Sequence, residues 1–157
     1  MKAKTAVILI VVVAFAAGLW AQAAVATPPV DQTREVLAES TIALRHRISA
    51  PVGTDVVVTH ITFAPGGTTG WHSHPGATVV LVKSGIFNLY RDVNGRCRHS
   101  VFVAGSGFVE GPGEVHIGRN ESATTPLDVI VTNFNVAAAT GATRIDQDDP
   151  GVCHFSH

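Results

Sequence analysis

Gly66-Gly-Thr-Thr-Gly-Trp-His72-Ser-His74, together with Gly113-Glu-Val-His116-Ile-Gly-Arg-Asn120 farther along, decides how this chain folds and what it can bind. Side chains alternate between the two faces of a β-strand, so His72 and His74 would point to the same side. His116 would bring a third imidazole, and neutral imidazoles are common ligands of transition metals. His72 and His74 therefore form half of a metal site, and His116 could complete it if folding brings the two segments together.

Short strands separated by turn residues fill the body of the chain. They are rich in β-branched and aromatic residues, which favour strands, and are bounded by Gly, Pro and Asn. The predicted strands cover residues 56–63, 78–83, 86–90, 98–103, 107–109, 115–118 and 127–136. Asn94-Gly95 is a strong hairpin signal between two of them. A short helix is predicted only for residues 32–40, so the pattern indicates an all-β sandwich or barrel.

The first 26 residues have the pattern of a secretory signal peptide. Lys2 and Lys4 precede 22 uncharged residues, and Ala24-Val-Ala26 provides the small residues of a cleavage site, with Ala21-Gln-Ala23 as a second one. We expect residues 1–26 to be removed and the protein to be secreted or to lie in the periplasm or cell envelope. The alternative is an uncleaved membrane anchor, since about 20 apolar residues span a bilayer.

The two cysteines, Cys97 and Cys153, are predicted to form a disulfide. In an exported protein an isolated pair is more often bonded than catalytic. The bond would fasten the polar, turn-forming segment 146–151 to the middle of the chain. The alternative is a free nucleophile beside His99 or His154.

The charged residues are few and scattered. The chain has 11 basic and 12 acidic residues, and its formal net charge is −1 at pH 7. It has no basic stripe with interleaved aromatic residues, which argues against a nucleic-acid partner. The expected partner is a small molecule, a membrane is expected only if the signal segment is uncleaved, and a homodimer is left open.

Two segments resemble the paired signatures of the cupin superfamily. The first, residues 66–85, has the spacing Gly66, five residues, His72-Ser-His74, three residues, Thr78, six residues, Gly85. The second, residues 105–120, has the spacing Gly105, five residues, Gly111-Pro-Gly113, two residues, His116, three residues, Asn120, with the proline shifted by one. The resemblance implies that residues 27–157 form a single cupin-type jelly-roll β-barrel.

The same resemblance implies that His72, His74 and His116 are the metal ligands. Thr78 stands where the family usually has a glutamate ligand. A threonine hydroxyl is a poor substitute for a carboxylate at neutral pH. We therefore expect three neutral histidines with water in the open positions, as in the three-histidine variants of the superfamily. The cofactor would be a divalent transition metal, with Fe, Zn, Mn, Cu and Ni as candidates.

The function expected from this resemblance is a metal-dependent dioxygenase of a small chelating substrate. The first alternative is a non-catalytic protein that binds metal or a small molecule, and the second is a metal-dependent isomerase or lyase. Weak candidates for acid–base groups are Glu114, His60, Tyr90 and Glu110. The two glutamates are expected to be solvated loop charges first, and second a ligand in place of the missing carboxylate or an acid–base group. His60 is expected to line the barrel or pack within it. Metal loading outside the cell would favour Zn, Cu or Mn over the easily oxidised Fe(II).

Overall fold

The computed structural model describes residue 32 and residues 35–42 and 47–155. The chain divides into two units, residues 1–34 and residues 35–157, and only Gln32 of the first unit is described. The predicted signal segment, residues 1–26, lies outside the described residues, so its cleavage stays a prediction. Over the described ranges, no helix has the length and apolar character needed to cross a membrane.

The described part of the second unit is built from ten strands in two five-stranded sheets. In chain order the strands are β1 Thr41–Ile42, β2 Thr54–Phe63, β3 His72–Ser73, β4 Thr78–Ser84, β5 Ile86–Asp92, β6 Cys97–Val103, β7 Ser106–Glu110, β8 His116–Arg119, β9 Leu127–Ala137 and β10 Ile145–Asp146. The strand order is β1-β7-β4-β9-β2 in the first sheet and β10-β3-β8-β5-β6 in the second. Apart from the parallel pair β1 and β7, neighbouring strands are antiparallel. The predicted all-β fold is confirmed.

The main core lies between the two sheets and follows from the alternation of side chains along the strands. Leu127, Val129 and Val131 of β9 are buried at every second position, and Phe87 and Leu89 of β5 meet them from the other sheet. The same alternation continues into polar residues at one end of the core. Asn133 of β9 and Thr78 of β4 are both buried there. One end of the interior is therefore apolar and the other is polar.

The seven strands predicted from sequence are all present, with ends that differ by at most two residues. The predicted hairpin is present too, since Asn94 and Gly95 have φ values of 55° and 72° between β5 and β6. Two successive positive φ angles define the turn type that the Asn-Gly pair favours. The two-residue strands β1 and β10 were not predicted, because such short strands form through their neighbours. Strand β3 covers only His72 and Ser73 of the strand expected to carry His72 and His74.

The predicted helix over residues 32–40 is wrong. Residues 35–40 are irregular, and residues 33 and 34 lie outside the described part of the chain. The side chains of Val36 and Leu37 are 53% and 57% exposed. A helix this short depends on packing of an apolar face, and these two residues have little.

The predicted disulfide is present, joining Cys97 at the start of β6 to Cys153 near the C-terminus. Cys153 is buried in a second hydrophobic cluster with Trp71 and Ile117. Phe155 packs against this cluster and lies beneath the guanidinium of Arg119, 4.2 Å from its ring centroid. The C-terminal segment is thus fastened to the sheet that carries β3 and β8.

Candidate metal centre

The three predicted metal ligands lie next to one another inside the fold. His72 and His116 are directly paired across β3 and β8, and His74 lies one residue beyond the end of β3. One ring nitrogen of each residue lies within 4.8 Å of the other two. All three side chains are buried. The structure therefore assembles the cluster that spacing predicted, while its role as a metal site stays a prediction.

Backbone carbonyls orient all three imidazole rings. In each ring Nδ1 faces a carbonyl oxygen: Gly70 O at 2.9 Å from His72, Thr143 O at 2.6 Å from His74 and Glu114 O at 2.8 Å from His116. Because a carbonyl only accepts hydrogen bonds, Nδ1 must carry the proton, and in the neutral ring Nε2 then has a free lone pair. In the neutral form each ring therefore directs Nε2 toward the cluster, which is the orientation that metal binding requires.

Glu110 also belongs to the cluster, contrary to the expectation of a solvated loop charge. It is only 3% exposed, and its Oε2 and Oε1 atoms lie 3.1 Å from Nε2 of His74 and 3.1 Å from Nε2 of His116. Strand β7 extends through Glu110, and the turn begins only at Gly111. On a strand that continues to residue 110, its side chain points inward like that of the core residue Phe108, two positions earlier. The prediction ended this strand one residue too early and so missed the contact.

Thr78 lies beside this carboxylate. Thr78 is paired with Glu110 on β7 and with Asn133 on β9, and directly paired residues point to the same face of a sheet. The Thr78 hydroxyl donates a hydrogen bond of 3.0 Å to Oδ1 of Asn133. The first sheet thus presents a buried polar row of Glu110, Thr78 and Asn133 at the polar end of the core.

The electrostatics of the cluster favour an ionised Glu110. Burial raises the pKa of Glu110, but its contacts with His116 and His74 outweigh burial and bring the pKa down to about 2. Burial, followed by the positive charge at His116, lowers the pKa of His72 to about 4. Burial lowers the pKa of His116, yet the Glu110 carboxylate more than compensates and the net direction is upward. An anionic carboxylate and a neutral His72 are thus both ready to act as ligands.

The cluster fits a divalent transition metal. Nε2 of His116 is fully buried and has no hydrogen-bond partner of suitable geometry, although Glu110 is close. An unpartnered buried polar atom is costly, and a metal ion in contact with Nε2 would remove that cost. Three imidazole nitrogens and one carboxylate form a donor set that suits Mn, Fe, Ni, Zn or Cu.

A cavity of about 50 Å³ adjoins the cluster. His72, His74 and Glu110 line one side, and the remaining wall is mostly apolar, formed by Ile61, Phe63, Val80, Phe87, Val129 and Val131. One water needs about 10–15 Å³ of such volume, and benzene fills an engineered cavity of about 150 Å³. The cavity therefore has room for about three to five water-sized groups beside the cluster.

The three remaining acid–base candidates do not reach the cavity. The side chain of His60 is 53% exposed and lies 3.3 Å from Asp128, so its expected place inside the barrel is wrong. Glu114 forms an ion pair with Arg91, in which Arg91 Nε lies 2.7 Å from Glu114 Oε1. The Tyr90 hydroxyl donates to Glu121, and its ring stacks on His99. Trp71 packs in the second cluster, away from the three histidines.

The disulfide excludes the alternative of a free nucleophilic cysteine beside His99 or His154. Both histidines are exposed. His46 and His157 lie outside the described residues. Sequence reasoning also missed Thr143, whose contribution is a backbone carbonyl and therefore leaves no signal in residue type.

Comparison with known families matches residues 59–133 to the Cupin domain model. The matched range contains all three histidines, Thr78 and Glu110. No curated protein matches the sequence.

Several solved structures share the fold. A structure of oxalate decarboxylase from Bacillus subtilis is 14% identical, covers 61% of this chain and 25% of its own, and has a TM-score of 0.50. A second structure of that enzyme, described by its Mn(II) centres, is 15% identical over the same shares with a TM-score of 0.50. A cupin-like protein from Thermotoga maritima is 21% identical, covers 61% of this chain and 66% of its own, and has a TM-score of 0.46. This chain thus spans about a quarter of the length of the decarboxylase.

Proposed function

Because this chain belongs to the cupin superfamily, we propose that it is a metal-dependent enzyme that acts on a compact oxygen-donor substrate. The observation that carries this proposal is the convergence of three Nε2 atoms, with each ring oriented by a carbonyl on the opposite nitrogen. His72, His74 and His116 would hold the ion, and the carboxylate of Glu110 would complete the donor set. The metal would supply Lewis-acid or redox chemistry, depending on its identity.

Glu110 changes the charge balance expected of a three-histidine site. Three neutral histidines leave a divalent ion with a charge of +2, whereas the carboxylate reduces the total to +1. Glu110 also contacts two of the three ligands, which links their positions. We propose that this residue raises metal affinity and excludes water from one side of the ion. The Mn(II) centres named for the B. subtilis relative support Mn as one candidate metal.

The size and lining of the cavity bear on the substrate class. A volume of about 50 Å³ suits O₂, a short carboxylate or the chelating end of a substrate, and is too small for an aromatic ring. The apolar wall would favour O₂ and exclude bulk water from the metal. We therefore propose dioxygenase chemistry on a compact chelating substrate as the first reaction to test.

The isomerase or lyase alternative has less support. Proton abstraction next to a carbonyl needs a base near the substrate, and His60, Glu114 and Tyr90 all lie elsewhere. Among the described residues that line the cavity, Glu110 is the one carboxylate, and it is held by two histidines. Non-catalytic binding is the other alternative, and oxygen consumption measured together with metal content tests it.

Metal content is the first measurement. Protein recovered from its native compartment should contain about one divalent ion per chain, and the double variant His72→Ala/His116→Ala should contain none. His99→Ala, which changes an exposed histidine outside the cluster, is the matched control. Equal metal content in the double variant and the control would refute the site.

Oxygen consumption separates catalysis from binding. The metal-loaded protein would be tested with compact diketones, short hydroxy acids and thiols, and with catechols as oversized substrates. We expect consumption with the compact compounds and none with the double variant. Full metal occupancy without turnover of any compound would support the non-catalytic alternative. A redox-inert metal in the native protein would argue against a dioxygenase.

We also propose that the protein is exported. The signal-peptide pattern of residues 1–26 and the disulfide between Cys97 and Cys153 support this proposal, because such bonds persist in oxidising compartments. Fractionation of the producing cells, with the mature N-terminus read by sequencing, tests both export and cleavage after Ala26. A cytosolic protein that retains residue 1 would contradict it.

A further inference from the structure

His74 differs from the other two histidines in where its orienting carbonyl comes from. For His72 and His116 the acceptor is the carbonyl two residues earlier in the same segment, Gly70 and Glu114. For His74 the acceptor is Thr143, 69 residues away in sequence. The orientation of His74 therefore depends on a distant part of the chain being in place.

That part of the chain, residues 143–153, forms a C-terminal strap. Its strand β10 pairs with β3, which places Asp146 opposite His72 and Ile145 opposite Ser73. On the other side, β3 meets β8 through the single pair His72 and His116. A two-residue strand with so few partners depends on both neighbouring strands for its position. The strap provides one of these two strands for the ligand segment, residues 69–74.

Side chains and backbone add further bonds between the strap and the ligand segment. The Gln147 amide donates to Oγ of the buried Ser73 at 3.2 Å, and its backbone N–H donates to Trp71 O at 3.1 Å. Arg144 donates to Thr69 O at 3.0 Å. The bonds thus reach both ends of the segment that runs from Thr69 to His74.

The far end of the strap is fixed by the disulfide. Cys153 is buried against Trp71, the residue before His72, and Ile117, the residue after His116. The segment between β10 and Cys153, residues 147–152, is polar and rich in turn residues, and most of it is exposed. Burial of the side chains of residues 147–151 therefore contributes little, and the far end of the strap is held by the packing of Val152 and Cys153 in the second cluster and by the bond to Cys97.

We infer that the disulfide-fastened strap positions His74, so that metal affinity depends on the bond between Cys97 and Cys153. The inference rests on the proposed metal binding and adds a condition to it. With the bond reduced, the strap is free to leave β3, and the Nδ1–H of His74 loses its acceptor. The ring can then rotate or change tautomer, and His74 Nε2 is no longer held toward the cluster. Thr143, Gln147 and Cys153 are positioning residues in this account.

Metal affinity is measured by competition with a chromogenic chelator, using Mn(II) or Zn(II) as the probe. We expect affinity to fall about 10- to 100-fold in Cys97→Ser/Cys153→Ser, the range found when residues that orient metal ligands are lost. Gln147→Ala, with the disulfide intact, should give a smaller fall. Val82→Ala, buried in the core but outside the cavity lining, controls for lost stability. An unchanged affinity in the double serine variant, or an equal loss in Val82→Ala, would overturn the inference.

Reduction of the native protein gives an independent comparison without substitution. A water-soluble phosphine reduces the disulfide to two thiols and is itself oxidised, taking up the oxygen atom of one water molecule. Treatment should lower the affinity of the native protein and leave that of Cys97→Ser/Cys153→Ser unchanged. By linkage, bound metal should make the native disulfide harder to reduce, so its midpoint in a thiol–disulfide redox buffer should shift to a higher thiol ratio. Equal midpoints with and without metal would count against the coupling.

Measurements on the metal-free protein test this inference independently of the proposed function. ¹⁵N spectra of its histidine rings should show His74 protonated at Nδ1 when the disulfide is intact, and a mixture of tautomers in the double serine variant. Amide exchange at residues 145–147 should speed up in the same variant while β9 stays protected. If the native protein bound no metal, the proposed function would fail. The ring spectra and the amide exchange would still test whether the strap positions His74. Identical spectra and exchange in both proteins would overturn it.

Discussion

Thr78 and Glu110 are direct neighbours across strands β4 and β7, and Glu110 carries the carboxylate that the motif would place at residue 78. Both side chains are buried and point to the same face of the sheet. The departure at Thr78 therefore does not leave the cluster without a carboxylate. It moves the carboxylate one strand along the sheet, where it contacts His74 and His116.

The first prediction concerns this transfer of the carboxylate. Glu110→Gln keeps the shape but removes the charge, so metal affinity should fall at least about tenfold. Thr78→Glu/Glu110→Thr returns the carboxylate to residue 78, and its affinity should exceed that of Glu110→Thr alone. Chelator competition measures all three variants. Equal affinities for Glu110→Gln and the native protein would mean that the carboxylate makes no contribution to metal binding.

The second prediction concerns global stability. The disulfide closes a loop with a sequence separation of 56, so Cys97→Ser/Cys153→Ser should lower the free energy of unfolding by about 4 kcal/mol on the chain-entropy model. Denaturant unfolding of the metal-free protein measures this value. Ser156→Ala, which keeps the disulfide, is the control. A loss below about 1 kcal/mol would indicate that the unfolded chain is already compact or that strain offsets the gain.

The third prediction concerns acid stability. Hydrogen bonds from Thr62 and Ser84 hold the pKa of Asp128 below its ordinary value of 3.8, with a smaller contribution from the nearby His60. A lowered pKa in the folded state stabilises the protein above the unfolded pKa, and this stabilisation is lost as the pH falls through the folded pKa. Asp128→Asn should therefore be less stable than the native protein at pH 6, with the gap closing below about pH 4. Urea unfolding at several pH values measures it, and a constant gap would contradict it.

The fourth prediction concerns Gly76, which lies between His74 and Thr78. A Cβ atom there would collide with the backbone carbonyl of Phe134 and come within 2.7 Å of Asn135 Cβ. Overpacking of this kind typically costs about 1–3 kcal/mol. Gly76→Ala should lower the free energy of unfolding by at least that much and also weaken the proposed metal binding, because the loop carries His74 at one end.

Gly111→Ala is the matched control for this substitution. A Cβ atom at Gly111 would meet Oε2 of Glu114 at 3.4 Å, an ordinary contact, and the residue keeps its backbone N–H donor. The free energy of unfolding of Gly111→Ala should stay within about 0.5 kcal/mol of that of the native protein. Equal losses in the two alanine variants would show that the backbone around Gly76 can relax.

The sequence by itself determined the strands and the three histidines. Strand and turn preferences are local, so β-branched runs and the Asn94-Gly95 pair were sufficient to predict most strands and the hairpin between β5 and β6. The positions of His72 and His74 followed from the two-residue period of a strand. His116 and the barrel around it were implied by the two spaced signatures, and the match over residues 59–133 agrees with that expectation.

Tertiary structure alone decided what surrounds those histidines. The contact between Glu110 and two of them depends on the register of β7 against β4, which residue types do not encode locally. The acceptor for His74 is the backbone carbonyl of Thr143, a group that every residue carries, so no sequence pattern could identify it. The three histidines were therefore legible in the sequence because the chemistry expected of them is specific to a side chain. Their charge balance and orientation were not, because both arise from long-range pairing that only the folded chain provides.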